Sequence, residues 1–169
     1  MKKLLVVIIS AAICLAFAAC GNKAEDPVIP GVPNPVTPAT AEEVAAATGL
    51  TFTLPEDAEN VVYYVIDGET PMAEAVFDWK GQEITYRIIS ALEYSDISGL
   101  YYDWEQVLDW QIQGRPGHVC FNEGAAGFCG WYDVVPGVLY NVAVTENATA
   151  EFLTEAADAL FVPVQGEVQ

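Results

Sequence analysis

The stretch Met72-Ala-Glu-Ala-Val-Phe-Asp-Trp-Lys-Gly-Gln-Glu-Ile-Thr-Tyr-Arg-Ile-Ile-Ser90 carries two alternations separated by a turn. Ala73, Ala75, Phe77 and Trp79 alternate with Glu74, Val76 and Asp78; Ile84, Tyr86 and Ile88 alternate with Glu83, Thr85 and Arg87. A period of two belongs to a strand with one face buried and the other open. A turn at Lys80-Gly81 sets Phe77 opposite Ile84, Ala75 opposite Tyr86 and Glu74 opposite Arg87. A slip of one residue would mix the two faces, so the pattern and the turn enforce the same pairing. The spacing predicts an antiparallel hairpin.

On the N-terminal side, Val61-Val-Tyr-Tyr-Val-Ile66 is apolar, β-branched and aromatic, a strand closed by Asp67-Gly68. Before it, Thr40-Ala-Glu-Glu43 has the form of a capping box, in which hydroxyl and carboxylate satisfy each other's backbone donors. The Val-Ala-Ala-Ala run that follows favours a helix, and Gly49 stops it. On the C-terminal side, residues 93–110 read as an acidic, aromatic loop with a short helical turn. Further strands are expected over Asp109–Gln113, Gly117–Phe121, Phe128–Asp133 and Leu139–Thr145. Thr149 to Leu160 is amphipathic: Phe152, Leu153, Ala156, Ala157 and Leu160 share one helical face, with Glu151, Glu155 and Asp158 outside. Helix, six or so strands and helix predict a single α+β domain over residues 40–169, an antiparallel β-sheet with an N-terminal and a C-terminal helix packed on it.

The first forty residues are of another kind. Lys2 and Lys3 precede a largely apolar run from Leu4 to Ala19, short of the roughly 20 residues that span a bilayer. The run ends Phe17-Ala-Ala-Cys20-Gly21. This resembles the bacterial lipobox, with Phe17 where Leu is usual. The resemblance implies a signal peptide over residues 1–19 and a lipid on Cys20, hence attachment to the extracytoplasmic face of a cell membrane. An ordinary secretory signal cut after Ala19 and an uncleaved anchor are the alternatives. Five of the ten prolines (Pro27, Pro30, Pro33, Pro35 and Pro38) fall between Gly21 and Ala39. Residues 20–39 therefore read as the lipidated cysteine and an extended, semi-rigid linker.

Without residues 1–19 the chain holds 4 Lys+Arg against 24 Asp+Glu, a net charge of −20. Such a surface repels phosphate backbones, which excludes nucleic acid as a partner. Cys120 and Cys129 flank a Gly124-Ala-Ala-Gly127 segment, and folding about Gly124-Ala125 places them opposite one another. An even pair in an exported chain predicts a disulfide. Zinc is the rival reading and lacks ligands, because His118 is the sole histidine.

The early helix, Leu54-Pro55, Tyr63–Ile66, the Ala75–Arg87 hairpin, Asp96-Ile-Ser-Gly-Leu-Tyr-Tyr-Asp-Trp104, Trp131, Tyr140 and the closing helix together resemble a domain of unknown function. That domain occurs in Gram-positive lipoproteins and at the outer, C-terminal end of anti-sigma-factor-type membrane proteins. The resemblance covers roughly residues 40–162. It implies an extracytoplasmic sensing or binding role and supplies no catalytic residue.

No phosphate loop, GxSxG or HExxH motif is present, and Arg115-Pro-Gly-His118 offers no nucleophile. The chain is expected to lack enzymatic activity and to need no cofactor. The richest chemistry lies in Asp96, Tyr101, Tyr102, Asp103, Trp104 and Glu105, with Asp109 and Trp110 close behind. The aromatics could form a platform for carbohydrate or peptide, and the acids could supply some of the six to eight oxygens that calcium needs. Alternatively, Trp104 and Trp110 anchor a structural loop. The expected function is a membrane-tethered binding or sensory module for an unknown protein or small molecule. The alternative is a structural or protein-interaction envelope lipoprotein with a cation-dependent role.

Overall fold

The computed structural model describes residues 35–162. The signal peptide expected over residues 1–19, the lipidation expected at Cys20 and the expected linker as far as Asn34 lie outside the described residues. The elements are β1 (Val36–Ala39), α1 (Ala41–Thr48), β2 (Glu59–Ile66), β3 (Met72–Trp79), β4 (Gln82–Ser90), β5 (Gln106–Ile112), β6 (Arg115–Phe121), β7 (Gly127–Asp133), β8 (Val138–Val144) and α2 (Ala150–Leu160). The strands form a single eight-stranded antiparallel sheet in the order β1-β2-β3-β4-β8-β7-β6-β5. Two four-stranded meanders thus meet back to back through their last strands, β4 and β8.

The hairpin read from the sequence is present in its expected register: Phe77 faces Ile84, Ala75 faces Tyr86 and Glu74 faces Arg87. Lys80 and Gly81 both take positive φ, 50° and 80°, the two-residue turn whose twist matches that of the flanking strands. Both helix starts are capped by threonine hydroxyls, Thr40 as its capping-box pattern predicts and Thr149 in addition. The Thr40 hydroxyl accepts from the Glu43 amide at 3.2 Å while the Glu43 carboxylate accepts from the Thr40 amide at 2.7 Å. The Thr149 hydroxyl accepts from the Phe152 amide at 3.1 Å.

Both helices pack on one face of the sheet. Ala73 and Ala75 are fully buried and leave room for α1, whose single buried side chain is Val44. Under α2, which buries Leu153, Ala156, Ala157 and Leu160, lie Val119, Phe121, Cys129, Val142 and Val144. Tyr86, Trp131 and Tyr140 stack in sequence at the middle of this layer. Arg115 and Asp133, a buried ion pair at 3.1 Å, close it at one end beneath Phe161.

Three expectations are corrected. The sheet contains eight strands, and it begins at Val36 within the proline-rich stretch, where Val36 faces Ile66 and Ala39 faces Tyr63. The strand expected over Asp109–Gln113 starts earlier, because Gln106–Leu108, read as loop, also belong to β5, which joins β6 through Gln113-Gly114, a second two-residue turn with positive φ at both positions.

The third correction concerns the disulfide expected between Cys120 and Cys129, because both cysteines are free and buried. Phe121 faces Gly127, Cys120 faces Phe128, and Cys129 faces Val119. The register is one residue away from the symmetric one, and a single-residue slip moves a side chain to the other face. Cys129 lies in the helix-covered core, while Cys120 lies across the sheet in a small cluster with Phe128 and Ala143.

Candidate functional site

The face of the sheet away from the helices carries a polar row. The strand register lines up Tyr64, Glu74, Arg87, Asn141, Gly130, His118 and Asp109 from β2 to β5. The segment 91–105 crosses this face and seals much of the row. It leaves the end of β4, where Tyr132 donates to the Ala91 carbonyl at 3.1 Å. Tyr94 then sets its ring against His118 at 4.9 Å. Arg87 holds the middle, with Nε on the Glu74 carboxylate at 2.6 Å and a second nitrogen donating to the Ile97 carbonyl at 3.0 Å. The chain passes so close to Arg87 at Gly99 that any Cβ there would collide with the guanidinium.

Beyond Gly99 the segment turns outward. Leu100 and Trp104 pack on the small cluster of Cys120, Phe128 and Ala143, with the Trp104 ring edge-on to Phe128 at 5.5 Å. Asn122 fastens the end of the segment, accepting from the Glu105 amide at 2.8 Å and donating to the Asp103 carbonyl at 3.3 Å. Between these anchors the two tyrosines are left in water: Tyr101 is 97% exposed and Tyr102 52%. Tyr102 rests 5.4 Å from Trp104. Asp103 and Glu105 are exposed beside them. The aromatics therefore divide, with Trp104 and Trp110 packed on the protein and Tyr101 and Tyr102 presented to solvent.

The acids do not converge on a cation. Asp96 accepts from the Ser98 amide at 2.8 Å, and Asp109 lies 3.3 Å from His118 Nδ1. Among the described residues no group of three or more His, Cys, Asp or Glu side chains could hold a metal. Among the described residues the Lys and Arg side chains are also spent: Lys80 pairs with Glu155, Arg87 with Glu74 and Arg115 with Asp133. The segment 91–112 has five acids, Glu93, Asp96, Asp103, Glu105 and Asp109, and no Lys or Arg. The segment's own charge is uniformly negative.

The His118–Asp109 contact was not anticipated from the sequence, and it is half of a triad-like arrangement. The thiol two residues away, Cys120, does not complete it. Burial, and then the Asp96 carboxylate, push the Cys120 thiol above its ordinary value, the opposite of what activates a nucleophile. Burial likewise raises Cys129, and raises Tyr94 with help from Asp96.

The sequence reading also missed the sheet edge formed by the strand that follows the tyrosines. Among the described residues β5 pairs with β6 alone and ends the sheet. Val107 and Leu108, on its two faces, are 62% and 41% exposed. The available signal was Gln113-Gly114, a turn dipeptide followed by the strand Arg115–Phe121, which implies a paired strand before it.

No family model matches the chain, no curated protein matches it, and no solved structure matches it. The lipobox and domain resemblances accordingly draw no support from relatives and stand on the residues alone.

Proposed function

We propose that this chain is a non-enzymatic extracytoplasmic binding module, tethered to a membrane through a lipid on Cys20, that meets its ligand at Tyr101, Tyr102, Asp103 and Glu105. The carrying observation is the exposure of two adjacent tyrosine rings on a segment whose other aromatics are packed. Apolar area left in water costs about 25 cal/mol per Å², and tyrosine is a residue that binding surfaces favour. The anchors matter as much as the rings. Trp104 on Phe128 and Asn122 on Asp103 and Glu105 hold the segment in place, so that little ordering remains to be done on binding. The tether reading rests on Lys2-Lys3, the apolar run and Ala18-Ala19-Cys20. A protein-interaction role is the reading that the open β5 edge favours among partners.

Trp104 reports on the site, since it touches Tyr102. Titration with calcium, cell-wall sugar fragments and short peptides is expected to change its fluorescence with at least one class, and Tyr101→Ala/Tyr102→Ala should weaken that response about ten-fold. Flat titrations with every class would overturn the reading. For the tether, Cys20→Ser is expected to abolish acyl labelling and release the protein from the membrane fraction; retention there would show an anchor of another kind.

A further inference from the structure

We infer that the open edge of β5 takes up an extended, positively charged polypeptide segment as a ninth strand, with Tyr101 and Tyr102 flanking its end. This rests on the binding-surface reading above and names the partner's chemistry. The two edges of the sheet differ in kind. β1 is four residues long, contains Pro38 and follows Pro35, and a proline removes a donor from the ladder. β5 is seven residues long, contains no proline, and among the described residues is bordered by β6 on one side only. On its free side, alternate N–H and C=O groups point away from the sheet, which is the template used in strand addition.

Exposed edges invite aggregation unless something guards them, and lysine is the usual guard. Here the guard is acidic. Asp109 stands on β5, and Glu105 and Asp103 immediately precede it. A second copy of this chain would bring the same acids against them in a molecule of net charge −18, and like charges juxtaposed across an interface cost affinity. A strand bearing lysine or arginine gains from the same field. Val107 and Leu108 offer apolar contact on the two faces of the added strand, and Tyr101 and Tyr102 offer rings that a cation can stack on.

The test uses the full chain and an acetylated, amidated heptapeptide alternating lysine and valine. The peptide is expected to bind, to slow hydrogen exchange along Gln106–Ile112, and to bind more weakly as salt is raised from about 0.1 M to about 1 M, which shortens the screening length from about 10 Å to about 3 Å. N-methylation at two adjacent central residues blocks both edges of the peptide and should cost at least about ten-fold in affinity. Val107→Lys, at an exposed position, should weaken binding about five-fold with the circular dichroism unchanged. Equal binding of the N-methylated peptide would overturn strand addition while leaving the tyrosine surface standing. Equal binding of a glutamate-valine peptide would overturn the charge selection. Protection of β5 that rises with protein concentration alone would show that a second copy occupies the edge, and would overturn the inference. If the peptide protects β5 and Tyr101→Ala/Tyr102→Ala binds it equally well, the edge stands and the tyrosine surface falls.

Discussion

The β3–β4 hairpin turns in two residues and the β6–β7 hairpin in five, and different forces set their registers. Lys80 and Gly81 close the first through their own backbone geometry. The second is closed from outside. Within it, the Ala125 amide donates to the Asn122 carbonyl and the Asn122 amide to the Ala126 carbonyl. The loop is then clipped to the segment before α2: Gly124 donates to the Ala148 carbonyl, Ala148 to the Ala125 carbonyl and Asn147 to the Gly124 carbonyl, at 2.9–3.1 Å. A local turn fixes the first pairing, and a contact more than twenty residues along the chain fixes the second.

The largest expected effect separates the two hairpins by a glycine in each. A Cβ on Gly127 would lie 2.6 Å from Phe121 Cβ and 2.9 Å from Ala148 Cβ, where neither neighbour is the mobile end of a side chain. Gly127→Val is expected to cost about 3 kcal/mol or more, as overpacking against a fixed wall does. Gly81 has open space around it, so Gly81→Ala should cost only the strain of its positive φ, about 1 kcal/mol. Urea unfolding midpoints measure both, and equal losses would erase the distinction between a turn closed locally and one closed from afar.

A smaller effect tests the register itself. Val119→Cys sets a thiol opposite Cys129, and Phe128→Cys sets one opposite Cys120. At least one of the two variants is expected to form a bridge on oxidation, contributing about 2 kcal/mol through the short loop it closes. The native pair should form none. Peptide mapping without reduction checks both, and a Cys120–Cys129 link in the native protein would contradict the register. Because burial raises both thiols, alkylation should be slow near neutral pH, and slower at the fully buried Cys129 than at Cys120.

The same comparison explains what could be read from the sequence. β3 and β4 alternate because one face is packed and the other partly open, so composition records orientation. β7 is buried at every residue, under α2 on one side and under the 91–105 segment on the other, and a strand covered on both faces shows no period. With no period to consult, the symmetric fold about Gly124-Ala125 is the natural reading, and Ala148 makes it the wrong one. β1 was hidden by prolines that an edge strand tolerates and a central strand does not. At the candidate site, the richness in tyrosine and acid was visible in the residues. The division between packed and exposed rings was not, because it depends on Phe128 and Asn122 from the second meander. Neither was the neighbouring edge, which takes its meaning from the order of all eight strands.

That order also sets a distance. The chain enters the sheet at Val36, at the corner where β1 faces the end of β2, and Tyr101 and Tyr102 lead into β5 at the diagonally opposite corner. Neighbouring strands are about 4.8 Å apart and each residue advances about 3.3 Å, so eight strands of this length separate the two corners by roughly 35–40 Å. The proposed tether, joining the domain at Val36, would therefore pull on the corner farthest from the tyrosines. With such a tether the whole breadth of the sheet would act as a boom, carrying the tyrosines and the open edge well clear of Val36.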